Sequence, residues 1–397
     1  MTTVGRVRRV PRDPSLLLDL SVSEGWGDGL PVIPPTRAAV REMIGAIDRA
    51  GDEVLGMMAP ALAPATIHHV AVNAVLAGCR SDYFPVVVAA AEAILDPAFN
   101  LLGIQATTHP AGVSVVIRGP VVERLGVNHR GNLLGQGWRP NATIGRAIRL
   151  IMINIGGAIP GVLDQATHGQ PGKYTSCFAE NDPDSPWPGR SIDGIDPGAS
   201  SVTVFGSEAP HNIHDQGSVT ADSLLTTIAG VMGSGAYHQH TYGARHVLLL
   251  GPEHAALLAR DGLTRSDAAA ALHARLLRPE HVGLPTGSAP GHGHGHSHQT
   301  APMTTPATTE TGPAHGKHVA GGGDGTHHGH AHASGVGQQH ESGEGSAATG
   351  HGSGSRDRHL FRDSSDIVIL VGGGAGKMSN WIPCFGHSVP ISRTIPG

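Results

Sequence analysis

Cysteine is nearly absent from this chain. There are three, Cys79, Cys177 and Cys384. They form neither a CxxC pair nor an even set, which removes a disulfide framework and a zinc ribbon and leaves reduced thiols, as expected in a cytoplasm. Long apolar runs are missing too. The longest, such as Val86–Ala91 and Val247–Leu250, are far too short to cross a bilayer. The basic opening, MTTVGRVRRVPRDP, is not followed by an apolar stretch, so it does not read as a secretory signal. Nor is there an excess of positive charge: the net charge is −5 with histidine neutral, which points away from nucleic acid as a partner.

Glycine and histidine are plentiful instead, and much of the excess sits in one window. Between Gly291 and Gly352 there are almost no large apolar residues, while 12 of the 27 histidines fall there. The segment Pro285–Arg358, built of Gly, Ser, Thr, His and Pro, cannot bury enough surface to offset its ordering entropy and is expected to be disordered. Outside it the chain reads as ordinary globular protein, long enough for two lobes.

The punctuation of the rest is regular. Thr36 is placed to cap a helix over Arg37–Arg49. Pro64 opens a second, whose Ile67, Val70, Ala71, Ala74 and Val75 fall at helical spacing and which Gly78 ends. A third runs from Pro85 to Leu95. Gly112–Pro120 is a strand, and Asn141 or Thr143 caps a buried helix. The order then recurs: a strand over Ser200–Pro210, a polar loop carrying His211 and His214, a helix ending in glycine, a strand over Arg245–His254, helices with Ser266 as a cap, and a strand with glycine turn over Asp366–Lys377. This alternation predicts an α/β fold with a partly parallel sheet, and the recurrence suggests an internal pseudo-repeat. The expected organisation is a flexible arm (1–20), a first α/β lobe (21–198), a second (199–284), a His/Gly-rich insertion (285–358), and a C-terminal strand and turn that complete the second lobe (359–397).

Two kinds of chemistry stand out. The runs His292, His294, His296, His298 and His327, His328, His330, His332 place neutral imidazoles on a flexible chain, a pattern for low-affinity capture of a divalent transition metal such as Zn, Ni, Cu or Co. Catalytic metals need fixed geometry and an open position, which such a tract does not supply. The ordered part offers His109 just before a strand, His168 nine residues before Cys177, and His211 with His214 after a strand. In α/β sheets, loops at the carboxyl ends of strands are where ligands bind, so these histidines are expected as metal ligands or proton shuttles. Cys177, with Lys173 and Glu180 close by in sequence, is expected as a thiolate, either nucleophile or soft ligand. Glu180 and Asp215 are expected as general bases or as partners that orient the ligands. The run GGGAGKMS (Gly372–Ser379) follows a strand as a phosphate loop does. However, Val371 stands where the first glycine belongs and Met378 where a Ser or Thr would hold Mg²⁺. Nucleotide hydrolysis is not expected there. An anion-binding nest using Gly374 and Lys377, with Lys173 as a further cation, is. The plain alternative for each single His or Cys is a packed or hydrogen-bonded structural residue.

Taken together, EGWGDGLPVIPPT, NAVLAGC, GIQATTHPAG, NATIGRA, GKYTSCFAEN and SEAPHNIHDQGS resemble an uncharacterised bacterial family associated with the UGSC selenocysteine/cysteine motif. The likeness covers roughly Ser21–Leu277 and Asp366–Pro396 and skips the His-rich insertion. It implies thiol or selenol redox chemistry and a thiol or selenol partner protein. The chain itself carries neither UGSC nor CGSC. The resulting expectation is an enzyme with a transition-metal or thiolate site in strand-end loops. It would perform redox or C–X bond-cleaving chemistry on a small polar substrate, as a homo-oligomer or with such a partner. A metallochaperone or metal store using the His tract, and a non-catalytic subunit of a redox complex, are the alternatives.

Overall fold

Caps and prolines set the helix starts. In the computed structural model, which describes residues 9–187, 189, 194–234, 244–277 and 359–396, the chain runs α1 (Pro14–Ser23), α2 (Arg37–Ile44), β1 (Val54–Met58), β2 (Ala63–Thr66), α3 (Ile67–Ala77), α4 (Phe84–Ile94), α5 (Leu101–Gln105), β3 (Gly112–Arg118), α6 (Val121–Leu125), α7 (Arg139–Asn154), β4 (Cys177–Ala179) and β5 (Ser201–Ser207). It continues with β6 (His211–His214), α8 (Ala221–Gly233), β7 (His246–Leu250), α9 (Pro252–Arg260), α10 (Arg265–Arg275), β8 (Ile367–Val371), β9 (Met378–Ile382) and β10 (Ile391–Thr394). The runs from His292 to His332, the segment Pro285–Arg358 to which they belong, and residues 1–8 of the N-terminal arm lie outside the described residues.

Several starts differ from the sequence expectation for local reasons. Pro64 lies in β2, and Thr66 caps α3 by accepting the His69 amide. Helix α7 begins at Arg139 with Pro140 in its first turn, where a missing N–H costs nothing. Asn141 is thereby a buried helix residue instead of a cap, bonded to the carbonyls of Asn128 and Cys177. Thr264, with Asp267 closing a capping box, starts α10 in place of Ser266. His211–His214, expected as loop, is strand β6.

The sheets show the repeat. In the order β10-β5-β3-β4, β3 pairs parallel with β4 and antiparallel with β5, and β10 adds antiparallel to β5. In the order β6-β9-β7-β8, β7 pairs parallel with β8 and antiparallel with β9, and β6 adds antiparallel to β9. The pattern β3–β4–β5 thus recurs as β7–β8–β9, but the fourth strands are exchanged. β6 follows β5 in the chain yet completes the second sheet, and β10 follows β9 yet completes the first. Both β3 and β7 run through Gly-Pro into a helix, Gly119-Pro120 before α6 and Gly251-Pro252 before α9. The crossover is stitched by a Ser207–Cys384 bridge, by Glu208 N–H on Pro383 O (2.8 Å) and by Phe385 N–H on Gly206 O (2.8 Å). Ser201–Ser207, assigned from sequence to the second lobe, and Ile391–Thr394, expected to complete that lobe, both belong to the first sheet.

Alternation along the strands builds four layers. Val113, Val115, Ile117, Cys177, Val202 and Val204 pack with α3, α4 and α7 in one core. Leu248, Leu250, Ile367, Ile369, Val371 and Trp381 pack with α8, α9 and α10 in another. The opposite faces meet each other: Val116, Phe178 and Phe205 of the first sheet share a third core with Val247, Leu249, Leu370 and Ile382 of the second. Helices therefore cover two sheets stacked face to face. All described residues belong to one body, residues 1–285 with 354–397. Among them no single helix is long and apolar enough to cross a membrane.

Candidate functional site

Because the two halves repeat, the carboxyl ends of both parallel pairs, β3/β4 and β7/β8, lie at the same end of the sandwich. Asn181, just beyond β4, joins them: its amide bonds Val371 O at 2.8 Å and its side chain Gly373 O at 3.2 Å. Here a cavity of about 460 Å³ opens, lined by Gly131–Gly135 of the first half and by Leu249, Gly251, Gly372–Gly376 and Met378–Asn380 of the second. The turn after β8 is its most unusual wall. Gly376 has φ +131°, a left-handed value that favours glycine. A Cβ on Gly374 would lie 2.9 Å from the Gly131 Cα, so only glycine lets the two loops approach.

The turn's amides divide into two sets. Gly372 N–H bonds Leu250 O, Gly373 N–H bonds His129 O, and Gly376 N–H donates to the Glu253 carboxylate at 2.7 Å. Among the described residues, the amides of Gly374 and Ala375 have no hydrogen-bond partner. Gly374 is partly exposed and Ala375 exposed, so these donors are open to water or to a ligand. Lys377 follows in sequence, outside the cavity lining, and its ammonium donates to Gln216 O at 3.1 Å.

Behind the turn lies a buried serine–histidine pair. His254 Nε2 faces Asp215 O at 3.1 Å, and a carbonyl only accepts, so that nitrogen carries the hydrogen. Nδ1 then accepts the Ser379 hydroxyl at 2.7 Å, while Gly251 N–H donates to Ser379 Oγ at 3.2 Å. The connectivity is that of a nucleophile and its base, but Ser379 and His254 are only 2% and 1% exposed. The pair braces the β7–α9 turn against β9. Asp215 accepts from Gly217 N–H, Ser218 N–H and the Ser218 hydroxyl. Burial alone would raise its carboxyl, but hydrogen bonds from Thr227, Ser218 and Gly217 outweigh that and bring it down to about 2.

The other residues singled out by sequence are scattered. Cys177 faces α7 in the helix-side core, where burial pushes its thiol well above the ordinary range. The expected thiolate is a packed residue. Cys79 and Cys384 are buried as well, and burial pushes both up to about 12. Glu180, expected as a base, has no exposed side-chain surface and is clamped by Arg118 (2.7 Å) and Arg265 (2.5 Å). Near it, burial first and Glu180 second raise the Asp182 carboxyl. Lys173 is taken by Asp164 at 2.7 Å, and Arg149 holds the same carboxylate. His211 rests on Trp381 with ring centroids 5.0 Å apart. His214, three positions along the same strand, projects from the opposite face, so the two do not form a chelate.

His109 lies at the amino end of β3, away from the cavity. Its Nε2 is 2.9 Å from Glu208 Oε1, in a largely buried pair. A bond from Thr167 N–H to Thr108 O (2.9 Å) brings the His168 loop alongside, although His168 itself is exposed. Nearby, the hydroxyls of Ser176, Ser114 and Ser207 form a chain with both links at 2.7 Å. Among the described residues no three His, Cys, Asp or Glu side chains are grouped so as to hold a metal ion. Of the expected site residues, only Gly374 lines the cavity, with Lys377 next to the lining in sequence. Asn132, Leu133 and Asn380 were passed over. The only sequence signal for the first two was the density of glycine around them, Gly131, Gly135 and Gly137. Comparison with protein-family models, curated proteins and solved structures finds no match.

Proposed function

We propose that the chain is an enzyme for a small substrate anchored by an anionic group at the turn Gly372–Lys377. The observation that carries this reading is the pair of amides, Gly374 and Ala375, that have no partner among the described residues and lie on the wall of the cavity, with Lys377 following in sequence. Successive free N–H groups in a glycine turn make an anion-binding nest, and a lysine adds the charge. The site lies at the carboxyl ends of parallel strands, where α/β sheets bind their ligands. Thiol or selenol chemistry gains no support from this geometry, because Cys79, Cys177 and Cys384 are all buried.

Ligand-linked stability tests the anchor. A ligand that binds only the folded state raises the unfolding midpoint with its concentration. Inorganic phosphate or acetate should therefore stabilise the protein at roughly 10 mM. Lys377→Ala should abolish the effect, as should Gly374→Ala, whose new methyl meets the Gly131 backbone. An unmoved midpoint with both anions rejects the reading.

The histidine runs of the insertion, rich in imidazole, favour the metal-store alternative. Deleting residues 291–352 separates the two: the anchored enzyme keeps its ligand response, while a metal store loses its bound metal, as elemental analysis would show.

A further inference from the structure

The cavity is larger and more apolar than an anion alone requires. At about 460 Å³ it falls in the range of sites that enclose a whole small molecule. Facing the glycine turn are Leu133 and Leu249, themselves buried, and at the mouth are Leu134 and Met378, 42% and 41% exposed. Apolar side chains left in water around an otherwise polar turn are surface that a ligand can cover with gain. The lining carries no charged side chain of either sign: beyond glycine it consists of Asn132, Leu133, Leu134, Leu249, Ala375, Met378, Ser379 and Asn380. Outside the lining, Lys377 next to the turn supplies one positive charge and the Glu253 carboxylate on Gly376 N–H one negative charge. A second phosphate, or a charged group on the far side of the ligand, would meet only amides and hydrocarbon, and an uncompensated charge in such a place is costly.

From this we infer that the cavity takes a single anionic head on an uncharged apolar body, in the class of an aryl or branched-chain carboxylate or phosphate monoester. The head lies at Gly374, Ala375 and Lys377 and the body between Leu133, Leu134, Leu249 and Met378. This rests on the anchoring reading above and goes further by naming the rest of the molecule. Asn380, whose amide faces no protein partner among the described residues, adds a polar contact along the body. The same geometry excludes polyphosphate nucleotides, in agreement with the absence of the Ser or Thr that would hold Mg²⁺ after Lys377.

Calorimetric titration of the full chain with two homologous series at constant ionic strength tests this. One series is acetate, butyrate, hexanoate and phenylacetate. The other is inorganic phosphate, phenyl phosphate and ATP. Affinity should rise roughly threefold per added methylene, somewhat below the full-burial value because the mouth is open. Phenyl phosphate should bind well above both inorganic phosphate and ATP. The stronger series identifies the head as carboxylate or phosphate. Leu134→Ser, a change in an exposed loop that leaves the core intact, should flatten the dependence on body size. If acetate and hexanoate bind equally, and phosphate equals phenyl phosphate, the apolar body is wrong while the anchor stands. If ATP binds best, the single-head assignment is overturned. If nothing binds, or Lys377→Ala changes no affinity, the anchor itself fails.

Discussion

At the scale of single residues, burial decides which side chains are chemical and which are structural. Cys177 has lysine and acidic neighbours in sequence, yet its strand turns the sulfur toward α7. There Gly145 is so close that an added Cβ would lie 3.2 Å from the Cys177 Cβ. Native protein at neutral pH should therefore alkylate slowly at all three thiols, and mass spectrometry should find rapid labelling only after unfolding. Faster native labelling of Cys177 than of Cys79 would contradict the packing assignment. Cys177→Ser should cost about 1–3 kcal/mol in urea unfolding, since it places a hydroxyl in an apolar core. Glu180 is the opposite case, a buried charge held by two guanidiniums. Glu180→Gln removes the carboxylate shared by Arg118 and Arg265, leaving Asp182 at 3.6 Å as a charge partner of Arg118, and should cost about 3 kcal/mol. A loss below 1 kcal/mol in the same measurement would show that water or other groups carry the load.

At the scale of elements, the loops take their shape from what they must hold. The stretch after β6 is folded around the Asp215 carboxylate, which three donors in Gly217 and Ser218 satisfy. Its carbonyl receives His254, and its amide bonds Lys377 O. This loop and the glycine turn therefore support each other. The carboxyl sits at about 2 in the folded state against an ordinary value of 3.8. A depressed folded value means that the contribution to stability is present above the unfolded value and lost as pH falls toward the folded one. Wild type should therefore exceed Asp215→Asn in unfolding midpoint by a constant margin at pH 6 and pH 5, and the margin should shrink from pH 4 to pH 2. A margin independent of pH over that interval would assign the loop's stability to groups other than this carboxylate.

At the scale of the whole molecule, the exchange of β6 and β10 interlocks the halves. The described residues on either side of the insertion meet. Leu277 bridges His359, Leu360 N–H bonds Leu276 O at 2.8 Å, and the His273 and His359 rings stack with centroids 4.4 Å apart. Residues 359–396 then supply β8 and β9 to one sheet and β10 to the other. Proteolytic cleavage between residues 285 and 354 should leave two fragments that co-elute in size-exclusion chromatography and unfold together. Fragments that separate without denaturant would show that the exchanged strands do not hold the halves. Removing residues 391–397 should destabilise the first sheet, although that stretch is the furthest in sequence from most of its strands.

The α/β class, the parallel pairing, the repeat of strand, glycine turn and helix, and the place of the insertion were all readable from the sequence, because apolar periodicity and Gly/Pro punctuation are local properties. The glycine turn that holds Gly374 was legible for the same reason: a glycine-rich turn after a strand carries its own conformational signature. What a side chain faces is not local. Which face of β4 carries Cys177 depends on α7 packing over it. Whether His211 and His214 make a chelating loop or a strand depends on β9, which arrives more than 160 residues later. The fourth strand of each sheet depends on a crossover whose only sequence trace is the pair of turns at Glu208–Pro210 and Pro383–Pro390. The candidate site itself needed tertiary structure, since its walls come from both halves and touch only because two sheets stack with their parallel-strand ends aligned.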